Sequence, residues 1–105
     1  SNINSNMKKM MEENSGELYM QYFMQYIIGF ARQFQQYCQS PDINIQKDMT
    51  GFSLSPLYLS DEELTALVTD ISQIINAVKN NEPKPDRKLR TIGIIISPEE
   101  KKTAR

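Results

Sequence analysis

The chain has 105 residues, 39% apolar and 24% charged, with one cysteine, no histidine and no tryptophan; its net charge of −1 hides an acidic body (five Lys/Arg against ten Asp/Glu in residues 1–83) and a basic tail (seven against three in 84–105). A chain of this length makes at most one domain and buries only about two thirds of the surface it exposes when unfolded. Without histidine the commonest neutral-pH base and metal ligand are gone, Cys38 has no disulfide partner or activating base, and an acidic body repels phosphate, so neither an enzyme nor a DNA-gripping or metal-holding protein is expected.

Residues 1–14 are polar with a methionine pair and read as a flexible or helical lead-in. From 15 to 39 the aromatics Tyr19, Phe23, Tyr26, Phe30, Phe34 and Tyr37 recur at an average of 3.6, which predicts a helix. A second apolar line, Met20, Met24, Ile27, Ala31, Phe34 and Cys38, runs beside the first. The resulting arc is wider than one packing contact needs, so this helix is expected to be covered on two sides. Ser40-Pro41-Asp42 ends it, and residues 42–51 read as a loop punctuated by Gly51.

In residues 52–59, "FSLSPLYL", Phe52 and Leu54 alternate with serines, the signature of a half-buried strand, with Pro56 confining it to an edge or a bulge or ending it early. Ser60 then stands as an N-cap with Glu63 three residues on and Leu59 and Leu64 placed to clasp across it. Leu64, Leu67, Val68, Ile71, Ile74, Ile75 and Val78 form one stripe, and Lys79-Asn80-Asn81 with Pro83 stop the helix. After a loop rich in Pro, Lys and Asp, Ile92, Ile94 and Ile96 alternate with Leu89 and Ile95 on the other side, a predicted strand closed by Pro98.

The expected fold is therefore α+β: helix, strand, helix, strand, with both helices on one face of a small antiparallel sheet. Two strands make a marginal sheet, so a partner is expected to complete it, most simply a second copy in a homodimer. The expected division is a lead-in at 1–14, an αβαβ domain at 15–98 and a charged tail at 99–105.

Other chemistry has little to stand on. Asp61, Glu62 and Glu63 are explained by the helix start, and Gly16, Gly29, Gly51 and Gly93 form no phosphate loop. No catalytic, cofactor-binding or metal-binding residue is assigned. Tyr19, Tyr22, Phe23, Tyr26, Phe30 and Tyr58 are candidate contacts, either for a homodimer interface or for a small hydrophobic effector held between the first helix and the sheet. No signal-peptide pattern is present, and Gln21, Gln25 and Arg32 interrupt the longest apolar stretch, so no membrane association and a cytoplasmic location are expected.

The stretches Leu57 to Leu64, "LYLSDEEL", and Arg90 to Pro98, "RTIGIIISP", resemble the carboxy-terminal regulatory part of bacterial ArsR-like winged-helix transcriptional regulators. The resemblance implies a cytoplasmic domain for dimerisation and effector response, with DNA contacted only through a winged helix that these residues do not include. The cysteine and histidine ligands of metal-sensing members have no counterpart. The alternative is a stand-alone protein-interaction module, of an accessory or phage type, with no DNA role.

Overall fold

The structure, a computed structural model, describes residues 2–101. Its regular elements are three helices: α1 (Asn2–Glu13), α2 (Gly16–Cys38) and α3 (Asp61–Val78). The chain divides into two units, one running through Leu54 with α1 and α2, the other beginning at Ser55 with α3.

In the first unit, α1 ends where Asn14 turns left-handed, at φ 52°. The Asn14 amide donates to the Met11 carbonyl at 3.3 Å and the Ser15 amide to the Met10 carbonyl at 3.4 Å, the paired bonds that satisfy the last carbonyls of a helix. Asparagine tolerates this conformation better than most side chains. Ser15 then caps α2, its hydroxyl accepting from the Leu18 amide at 3.2 Å. Met10, 4% exposed, is the one buried side chain among the described residues. Along α2, Leu18, Tyr22, Ile27, Phe30, Phe34 and Tyr37 are half-buried.

The segment after α2 is ordered by its own hydrogen bonds. Asn44 Oδ1 accepts from the Lys47 amide at 2.9 Å, while the Asp48 carboxylate accepts from the Asn44 amide at 2.9 Å, a reciprocal cap around a single helical turn. Asp48 also accepts from the Tyr37 hydroxyl at 2.7 Å, which ties the turn to α2. Met49, at φ 59°, closes the turn as Asn14 closes α1, with its own amide donating to Gln46 and the Thr50 amide to Ile45. Beyond it, the Phe52 ring meets Phe34 edge-on, centroids 6.2 Å apart at 82°.

In the second unit α3 begins with the expected capping box: Ser60 Oγ accepts from the Glu63 amide at 3.1 Å, and Glu63 Oε1 accepts from the Ser60 amide at 2.9 Å. Leu64, Val68, Ile71 and Ile75, at spacings of 4, 3 and 4, are its half-buried line. After Val78 the chain leaves the helix, and Lys84 to Arg87 form a turn with Pro85 in second position, the Arg87 amide donating to the Lys84 carbonyl at 2.9 Å.

The α+β expectation is overturned. Among the described residues there is no strand, and both 52–59 and 89–97 lie outside helix and sheet. Alternation says which way side chains point once a ladder exists, but it supplies no partner for the ladder. Pro56 removes a donor from the first candidate, and the second gains nothing from it as an edge. With no sheet, the expected seat for both helices is gone.

The exposed area is correspondingly large. At 12.1 kDa the chain shows 10731 Å² to solvent. Two compact units of half that mass each would show about 7,300 Å² together.

Candidate functional site

The most conspicuous chemistry on either unit is apolar. On α2, Tyr19, Met20, Phe23, Met24, Tyr26 and Ile28 are each more than a third exposed, Tyr19 as much as 64%. A helix with good caps, an N-terminal acid at Glu17 and a hydrogen-bonded end would be expected to turn such residues inward. Phe23 and Tyr26 stack obliquely, ring centroids 6.4 Å apart at 31°, and so present one continuous aromatic surface. Met20 and Met24 line an open depression beside it with Glu17, Gln21 and Gln25. Methionine adds an adaptable surface there, able to fit more than one shape.

Of the sequence-predicted contact residues, Tyr19, Phe23 and Tyr26 lie exposed on α2, and Tyr22 and Phe30 are half-buried on the same helix. Tyr58 belongs to the second unit, where its side chain is fully exposed. The slot expected between the first helix and a sheet has no sheet for its other wall.

The acidic start of α3 does structural work. The Ser60 amide, and behind it the Ser60 hydroxyl, hold the Glu63 carboxyl below the usual carboxylate range. Asp61 and Glu62 border a shallow, open depression with Thr65 and Ala66, and the Thr65 hydroxyl donates to the Asp61 carbonyl at 2.8 Å. Among the described residues no three His, Cys, Asp or Glu side chains gather as a metal site would require. Cys38 is exposed at the last position of α2. No described helix is long and apolar enough to cross a membrane.

Sequence reasoning missed the Tyr37, Asn44 and Asp48 cluster. Tyr37 was absorbed into the aromatic stripe, and 42–51 read as an undifferentiated loop. The local signal was present in Asn44 followed by Asp48 four residues on, whereas the link from Asp48 back to Tyr37 spans eleven residues and has no sequence signature. Its electrostatic trace is clear: the hydrogen bond to Asp48, then partial burial, then the Asp48 charge push the Tyr37 hydroxyl up to about 12.

No protein-family model, no curated protein and no solved structure matches this chain.

Proposed function

We propose that this chain is the dimerisation part of a cytoplasmic regulatory protein, two copies pairing through the exposed apolar flank of α2. The observation that carries the reading is that flank: Tyr19, Met20, Phe23, Met24, Tyr26 and Ile28 stand in solvent on a well-capped helix. A standard protein interface buries about 800 Å² per partner, well within the roughly 3,400 Å² by which the chain's exposure exceeds that of two compact units. A second copy is the simplest occupant, because a two-fold axis lets one surface serve as both partners.

The transcriptional part of the reading rests on the likeness of Leu57 to Leu64 and Arg90 to Pro98 to ArsR-like regulators, a likeness of sequence alone since 89–97 is not a strand. In that role α2 spaces two DNA-reading winged helices carried outside these residues, and the acidic body itself leaves DNA alone.

Size-exclusion chromatography with light scattering over a dilution series tests the pairing. A dimer mass that falls toward the monomer on dilution is the expected result. A monomer at every concentration, or tight binding of duplex DNA by the chain at physiological salt, overturns the reading.

A further inference from the structure

Helix α2 has 23 residues and only two charged side chains, Glu17 in its first turn and Arg32 toward its far end. Glu17, Gln21, Met24, Ile28 and Arg32 follow one another at 4, 3, 4 and 4, a spacing that sets all five on one line along the helix. All five are exposed. Met24 and Ile28, 42% and 43% exposed, are the apolar centre of that line, and the two charges close it at either end, ~22 Å apart along the axis. Among the described residues neither charge takes part in an ion pair.

An acid at one end of an apolar line and a base at the other make a surface that fits its own reversal. Laid antiparallel on a second α2, Glu17 of each copy meets Arg32 of the other, Gln21 lies along Ile28, and Met24 meets its own counterpart at the two-fold axis. The helix dipoles then oppose one another. Laid parallel, the same line sets Glu17 against Glu17, Arg32 against Arg32 and the dipoles side by side. Ion pairs this exposed are individually weak, so the apolar centre supplies the affinity and the charged ends the direction.

We propose that Glu17 and Arg32 are the specificity-determining residues of the α2 pair, holding the two helices antiparallel with their crossing beside Met24. The inference rests on the α2 pairing and adds what decides its direction and its choice of a reversed copy of itself as partner.

Charge reversal in the full chain, read by sedimentation equilibrium at low salt, tests this. In an antiparallel pair Glu17→Lys alone sets Lys against Arg32 twice, and Arg32→Glu alone sets Glu against Glu17 twice. Each variant by itself is expected to pair roughly tenfold more weakly than the parent chain. Mixed in equal amounts, the two regain both opposite-charge contacts, so the mixed pair is expected to return to within about threefold of the parent, and the differences should shrink in 1 M salt. Recovery on mixing is what a mere folding defect in either variant would not give, and a mixture as weak as its components therefore overturns the proposal. Single variants that pair as tightly as the parent overturn it too, and a mixture tighter than the parent would then mean parallel helices. In each of these cases Met24→Glu that still dissociates the parent dimer leaves the α2 reading in place, whereas Met24→Glu that pairs like the parent, or a parent that is strictly monomeric, overturns both.

Discussion

Tyr37 carries two roles that pull in different directions: its ring packs beside Phe34, centroids 6.2 Å apart, while its hydroxyl donates to the Asp48 carboxylate. The second role decides the order of the turn from Asn44 to Thr50, because Asp48 also accepts from the Asn44 amide. Donation needs the phenolic proton, so the bond favours the neutral form and pushes the ionisation from the ordinary 10.0 up to about 12. The sign follows by linkage. A group whose folded value is raised contributes stability in full below its unfolded value, and that contribution is lost as pH rises through the folded one. The turn should therefore hold its order through neutral and mildly alkaline solution and loosen between about 10 and about 12. In an ultraviolet titration a late tyrosine step, that of Tyr37, should appear at about 12. Tyr37→Phe should remove that late step and, at neutral pH, speed exchange of the Asn44 amide, while a titration indistinguishable from the parent chain would show that the Asp48 bond does not form in solution. Glu63 has the opposite sign: held low by Ser60, it supports its cap above the ordinary carboxylate range and loses that support as pH falls through the lowered value.

The helices were legible because their causes are local. The box of Ser60 and Glu63 closes within four residues, and α2, from Gly16 to Cys38, falls within the 15–39 span and before the Ser40-Pro41 stop read from the sequence. Ser60→Ala should cost α3 about 1 kcal/mol, with amide exchange quickening over its first turn and sparing its last. Unchanged exchange there would mean that packing, not the cap, sets where α3 starts. The strands at 52–59 and 89–97 were misread for the complementary reason. Alternation in Phe52 and Leu54, or in Ile92, Ile94 and Ile96, reports a face, but a strand exists only when distant chain supplies hydrogen bonds to it. The six candidate contact residues were a mixed case: periodicity placed five of them on one helix, yet could not distinguish a half-buried Tyr22 from an exposed Tyr19, which depends on what packs beside α2.

At the scale of the whole molecule, stability and association should be the same equilibrium. One buried side chain among the described residues, Met10, is far too little core to offset the roughly 1 to 2 kcal/mol that ordering each backbone residue costs. The remaining apolar surface, on α2 and on the segments at 52–59 and 89–96, contributes only when a partner removes it from water. Whatever binds the folded chain and not the unfolded one raises the melting midpoint by mass action, so in a homodimer the midpoint climbs with protein concentration. Calorimetry or circular dichroism across a concentration series should show that climb. Met24→Glu places a charge in the middle of the exposed flank, where it is harmless in a monomer and unpaired in a dimer, and should weaken pairing by about 2 kcal/mol or more, roughly thirtyfold in Kd. Gln36→Glu, on the polar side of the same helix and outside that depression, is the matched control and should leave the slope nearly intact. A midpoint that ignores concentration in the parent chain would mean that the two units stand without a second copy, and a Met24→Glu slope equal to that of Gln36→Glu would move the interface off α2.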